Sequence, residues 1–124
     1  MSGLFAGLQL RARGFAVDIY ERVDSELSGR GAGIVAQPNV PQAMRGPGSD
    51  TADLGGERTT RKILDVEGRT VVEVDCPQTL TAWERLYRIL RDAFPAQHYH
   101  RGVGLKGFEQ TGTAVLAHLS DGTS

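Results

Sequence analysis

The apolar positions of this chain change their spacing several times, and each change marks an element. Leu4 and Leu8 lie four apart, with Gly3, Gly7 and Leu10 on the same small-and-apolar face, so the opening follows the helical period. Arg11 and Arg13 suit the negative end of a helix dipole, and Gly14 stands where a left-handed cap is wanted. The spacing predicts a helix that begins with the chain. Phe15 to Tyr20 then reads as a short strand of branched and aromatic residues, ending at Glu21-Arg22. Ser28 to Val35 reads as a glycine-dense loop. From Gln37 to Gly56 proline, glycine, serine and aspartate weaken any period, which predicts loop or frayed helix. Two strand-like runs, Thr59 to Leu64 and Thr70 to Asp75, flank Asp65-Val66-Glu67-Gly68 and predict a hairpin.

The remainder is more strongly patterned. Thr81 to Glu84 fits a capping box, with Thr81 as N-cap and Glu84 three positions on. Leu86, Ile89, Leu90, Ala93 and Phe94 then fall at helical spacing, and Pro95 stops the run. After His98-Tyr99-His100, a second hairpin pairs Leu105 to Gln110 with Ala114 to Leu119 through Thr111-Gly112-Thr113. Helix, glycine, then strand with an acidic end is the second half of a βαβ unit, so the fold class is α/β.

Composition narrows the function classes. Leu, Ile, Val and Phe supply 30 of 124 residues, above the roughly 20% at which disorder becomes the default. The lone Cys76 excludes an internal disulfide framework and points to a reducing, cytoplasmic setting. A net charge of −1 gives non-specific nucleic-acid binding no support, and no stretch has the roughly 18 apolar residues of a membrane helix. His98 and His100 are expected on opposite faces of a strand, so no metal site is expected. Cys76 precedes Pro77 without a nearby His or second Cys and reads as a buried structural thiol. Trp83 reads as a core or boundary aromatic. No Ser/His/Asp set, carboxylate pair or P-loop stands out.

A dinucleotide fingerprint needs glycine where a helix N-terminus meets a pyrophosphate, and an acid about 20 residues on for a ribose. Gly3 and Glu21 are 18 apart with a helix and a strand between them. They match the last glycine and the ribose acid. Further marks are Arg30-Gly31-Ala32-Gly33-Ile34-Val35 with Gln37-Pro38, Cys76-Pro77-Gln78-Thr79-Leu80-Thr81-Ala82-Trp83 leading into Leu86 to Leu90, Gly107-Phe108-Glu109-Gln110, and Asp121-Gly122.

On these segments the sequence resembles the FAD-dependent aromatic hydroxylases of the para-hydroxybenzoate hydroxylase group, and within it the 2,6-dihydroxypyridine 3-hydroxylase-like monooxygenases. The resemblance implies an incomplete Rossmann-like FAD-binding fold over residues 1–124, without its first strand and its C-terminal part. The hairpin at 57–76 would belong to the substrate-side sheet, and the strand at Val17 to Tyr20 would have a neighbour near Tyr99 to Gly102. By the same resemblance Gly3 faces the pyrophosphate, Glu21 binds the adenosine ribose and Arg22 lies along the adenine. Arg30 with the backbone of Ala32, Gly33 and Ile34 lines the ribityl and flavin side, and Gln78 contacts the ribityl chain. Many relatives carry arginine where Trp83 stands, and Arg85 is the candidate to take over that contact.

The implied cofactor is FAD, with NAD(P)H as co-substrate and a small aromatic or N-heteroaromatic ring as substrate. No side chain here is assigned a catalytic role, since the flavin carries the chemistry. Two other readings stand beside this one: a non-catalytic truncated remnant that binds nucleotide or a partner weakly, and a plain NAD(P)-binding module. The oligomeric state is not legible.

Overall fold

The structure is a computed structural model and describes residues 1–27, 29, 31–45, 50–52 and 54–124. In chain order the elements are α1 (Ser2–Arg11), β1 (Ile19–Glu21), β2 (Gly33–Ala36), α2 (Asn39–Arg45), β3 (Gly56–Leu64), β4 (Thr70–Ala82), α3 (Trp83–Ala93), β5 (Tyr99–Arg101), β6 (Leu105–Gln110) and β7 (Val115–Leu119). A 3-10 turn, Ala96–His98, leads into β5.

Three small sheets result. β1 and β5 pair in parallel, with Ile19 opposite Tyr99 and Glu21 opposite Arg101, the pairing expected from the family resemblance. β4 is the centre of an antiparallel sheet in the order β2-β4-β3, and β6 and β7 form the final hairpin. The parallel pair has an α3-containing connection, as a parallel crossover requires.

α1 ends as its sequence predicts. The Phe15 N–H bonds the Leu10 carbonyl at 3.2 Å and the Gly14 N–H bonds that of Arg11 at 2.9 Å, a Schellman pattern in which Gly14 supplies φ +87°. The core lies where α1 and α3 meet the parallel pair: Leu4, Leu8, Leu86, Tyr87, Leu90, Phe94 and Tyr99 are all buried. Gly7 brings them together. A Cβ there would lie 2.8 Å from Ile19 Cδ1 and 3.0 Å from Phe94 Cε2, so helix backbone, strand and second helix converge where no side chain fits. Phe94 and Tyr99 meet edge-on at 6.5 Å, and the Arg91 guanidinium sits 4.3 Å over the Tyr99 ring.

Several expectations are corrected. β2 overlaps the end of the stretch read as loop, and α2 is a short helix in the stretch read as loop or frayed helix. Thr81 is not an N-cap. It is a buried strand residue opposite Ile34, because pairing with β2 keeps β4 extended through Ala82. Ala82 is the N-cap, without a side-chain bond, and Glu84 pairs with Arg88 at 2.6 Å. Cys76 is half-buried.

The two histidines do not point apart. His98 belongs to the 3-10 turn, and both rings reach Asp18: His98 Nδ1 at 3.2 Å and His100 Nε2 at 2.7 Å from Oδ1. Tyr20 stacks on His100 at 4.8 Å. Among the described residues no group of three His, Cys, Asp or Glu side chains is placed to hold a metal ion. No helix among them is long and apolar enough to cross a membrane.

Two predictions follow from this packing. Leu90→Ala empties a fully buried site and is expected to cost about 2–5 kcal/mol in urea unfolding, whereas Leu10→Ala, on exposed surface, stays within about 0.5 kcal/mol. Equal costs would contradict the core. The bonds from His100, then His98, hold the Asp18 carboxyl below the usual carboxylate range. A depressed folded pKa stabilises above the unfolded value of about 3.9, and that stabilisation is lost as pH falls through the folded value. Asp18→Asn should therefore be less stable than the parent at pH 6, with the gap closing below about pH 4 in parallel denaturation curves.

Candidate functional site

A connection of seven residues joins the end of α1 to the start of β1, so the helix begins near the end of the strand. The same holds for α3 and β5, joined by the short turn. Both helix N-termini thus face the carboxyl end of the parallel pair, where α/β sheets hold their ligands. α1 has no side-chain cap and no acidic residue in its first turn. The first-turn amides and the helix dipole together favour an anion there.

Gly3 lies in that first turn, and the nearest atom to a Cβ placed on it is Ile19 Cγ2 at 3.8 Å. Two residues beyond Ile19, Glu21 ends β1 half-buried. Its Oε1 accepts the Val23 N–H at 3.0 Å, and its carbonyl accepts the Val103 N–H at 3.1 Å, which pins the turn after the strand. Arg22 is exposed beside Gly104, whose Cβ would lie 3.3 Å from Arg22 Cβ. Gly3, Glu21 and Arg22 are thus gathered at one end of the α1–β1 unit.

Ala32, Gly33, Ile34 and Gln78 form a second group around β2 and β4. The Trp83 N–H bonds the Ala32 carbonyl at 3.1 Å, tying this loop to the first turn of α3. Gly31 is pressed on the Trp83 side chain: at φ +97°, a Cβ would come within 2.6 Å of Trp83 Cβ. Gly33 pairs with Ala82 and Ile34 with Thr81. Gln78 is half-buried on β4 opposite Arg58. Arg85 is exposed on the first turn of α3. Arg30 lies outside the described residues.

The structure adds residues that the sequence reading did not assign. Trp83 stacks on Tyr87 with centroids 5.2 Å apart and planes 8° from parallel. The Tyr87 hydroxyl donates to Glu26 Oε1 at 2.7 Å, and Glu26 Oε2 pairs with Arg101 Nη1 at 3.0 Å. The Tyr87 bond, more than any other contact, holds the Glu26 carboxyl below its ordinary value, while burial and Glu26 push the Tyr87 phenol up. This chain links the first turn of α3 to the segment after β1 and to the end of β5. The four-residue spacing of Trp83 and Tyr87 was its only sequence signal.

A groove of about 470 Å³ opens between β2, the start of α2 and the β3–β4 hairpin, with Gln37, Pro38, Cys76 and Gln78 in its wall. β4 carries an irregularity there, since Arg58 pairs with Gln78 but Thr60 pairs with Asp75. Pro77 occupies the extra length, at a point where a strand can spare an N–H.

No family model matches the sequence. Relatives are nonetheless found along nearly its whole length. The chain is 33% identical over 124 residues to 2,6-dihydroxypyridine 3-monooxygenase of Paenarthrobacter nicotinovorans, an alignment covering 99% of this chain and 31% of the relative. It is 30% identical over 133 residues to aurachin C monooxygenase/isomerase of Stigmatella aurantiaca, covering 98% and 34%. The solved 2,6-dihydroxypyridine-3-hydroxylase from Arthrobacter nicotinovorans superposes with a TM-score of 0.85 at 33% identity, over 98% of this chain and 31% of that one. FqzB, at 21% identity, shares the fold with a TM-score of 0.78, over 95% and 30%. The chain thus spans about a third of the length of the relatives it matches.

Gly31→Ala is expected to destabilise the chain by about 1–3 kcal/mol, through a positive φ and a collision with Trp83. Tryptophan fluorescence during denaturation reads both the loss and its site, and an unchanged midpoint would contradict the Gly31–Trp83 contact.

Proposed function

We propose that this chain, which belongs by sequence and by fold with the aromatic-ring monooxygenases that include 2,6-dihydroxypyridine 3-monooxygenase, forms part of the FAD site of such an enzyme. The observation that carries the reading is the pairing of the α1 N-terminus with Glu21 at the end of β1. Amide donors for a pyrophosphate and a carboxylate for ribose hydroxyls stand at the same end of one helix–strand unit, which is the donor set a dinucleotide requires. The space beside Gly3 suits close approach of a phosphate.

In this reading the Gly3 backbone faces the pyrophosphate, Glu21 accepts from the ribose and Arg22 lies along the adenine. Arg30 and the backbone of Ala32, Gly33 and Ile34 line the ribityl and flavin side with Gln78. Arg85 stands in for the arginine that many relatives carry at the position of Trp83. Trp83, Tyr87 and Glu26 set the position of the Ala32–Ile34 loop relative to the strand ends. Bound FAD would supply the redox chemistry, with NAD(P)H as the reductant and oxygen as the oxidant, for hydroxylation of an activated aromatic or N-heteroaromatic ring. The hairpin at 57–76 would contribute to the substrate-side sheet. A second reading, nucleotide binding without turnover, needs no more than the same donor set. NAD(P)H oxidation by the purified chain with FAD and oxygen discriminates the two.

Glu21→Ala should weaken FAD binding by about 1–3 kcal/mol, the size of a lost charge-assisted hydrogen bond. Flavin fluorescence titration of parent and variant measures it, and equal affinities would remove Glu21 from the ribose.

A further inference from the structure

We propose that Trp83, Tyr87 and Glu26 form a one-electron relay, which carries an oxidising equivalent from the loop at Gly31–Ala32 into the core and holds it as a Tyr87 phenoxyl radical. Its substrate class is a one-electron oxidant, such as an oxidising radical, that reaches the loop. Trp83 is the only tryptophan of the chain. It is half-buried and touches that loop through the Ala32 carbonyl and Gly31. Its ring lies 8° from parallel with that of Tyr87, with centroids 5.2 Å apart, so the two π systems face each other directly. Tyr87 is buried, and its hydroxyl already donates to Glu26 Oε1 at 2.7 Å.

The electrons and protons balance in two steps. An electron leaves the Trp83 indole for the oxidant, which is reduced by one electron, and an indole radical cation remains. An electron then moves from the Tyr87 ring to Trp83 and restores the indole, while the phenolic O–H breaks and its proton passes to Glu26 Oε1. An indole radical that has lost its N–H proton to water regains one from water as it is reduced. A phenol radical cation is a strong acid, so an ionised carboxylate takes its proton readily, and Glu26 is exposed enough to return that proton to water. Charge sets where the relay stops. Tyr99 adjoins the Tyr87 phenol, but the Arg91 guanidinium lies 4.3 Å over the Tyr99 ring and disfavours positive charge there. Tyr87 faces a carboxylate instead, whose Oε1 also accepts the Leu27 N–H and whose Oε2 pairs with Arg101. The relay uses only residues of this chain; a source of oxidant beside the loop rests on the functional reading above.

The test is pulse radiolysis of the purified chain without oxygen, in which azide radicals oxidise the single indole in preference to phenols. The indolyl absorption band is expected to decay at a rate independent of protein concentration while the phenoxyl band grows at the same rate. Tyr87→Phe should slow that decay at least tenfold. Glu26→Gln should slow it several-fold and remove its dependence on pH, whereas the parent slows as pH falls through the carboxylate range and Glu26 becomes protonated. Tyr20→Phe and Tyr99→Phe should behave like the parent. Should Tyr87→Phe not fold, the rate and pH profile of Glu26→Gln decide. A rate proportional to protein concentration, decay unchanged in Tyr87→Phe or in Glu26→Gln, or a phenoxyl band lost in Tyr20→Phe or Tyr99→Phe would overturn the proposal. FAD titration of the same samples separates the two readings: relay without FAD binding counts against the functional reading alone, and FAD binding without relay counts against the relay alone.

Discussion

The close approach of α1 to the parallel pair at Gly7 sets the geometry on which the rest relies. With Ile19 and Phe94 both closer than van der Waals contact to where a Cβ would be, the helix backbone itself is the packing surface. That contact holds the first turn of α1 at a fixed distance from the end of β1, and so relates Gly3 to Glu21. Leu4 and Leu8 flank it and bury the same face. A glycine at this point gives up helix propensity of about 1 kcal/mol relative to alanine, and the gain is a helix axis packed close against the strand.

A second linkage ties the other wall of the site to the same frame. Trp83, Tyr87, Glu26 and Arg101 form an unbroken sequence of a ring stack, a hydrogen bond and an ion pair. Because Trp83 also takes the Ala32 carbonyl and the close face of Gly31, the loop that follows is positioned from the strand ends. Asp18, His98 and His100 perform the corresponding task at the opposite end of the parallel pair, holding the entry to β1 against the turn before β5.

Legibility in the sequence followed the strength of the local signal. α3 and both hairpins were readable because their periods are long and their stops, Pro95 and the glycine turns, are strong. The Schellman end of α1 was readable from Gly14 alone. β2 was not, because four residues with a glycine at the start carry no period, and only pairing with Thr79 to Ala82 makes them a strand. The same pairing overrode the capping box at Thr81. Of the proposed site, Gly3 and Glu21 could be picked out from spacing, since one helix and one strand fix it. The role of Trp83 could not, because its partners lie on the loop at Gly31–Ala32 and, through Tyr87, at Glu26, far away in sequence.

β4 has one further property. At 13 residues it is the longest element among the described residues, spanning about 40 Å if fully extended, and it passes without interruption into α3. The groove around Cys76–Gln78 and the pairing that holds Ala32–Ile34 therefore share one strand. Free energies of ligands that bias one two-state element are reciprocal. Any displacement of β4 that favours an occupant of the groove must favour, by the same amount, whatever binds the loop in that displaced position. Were β4 to take up two positions, the two binding events would be thermodynamic partners even where the ligands never touch.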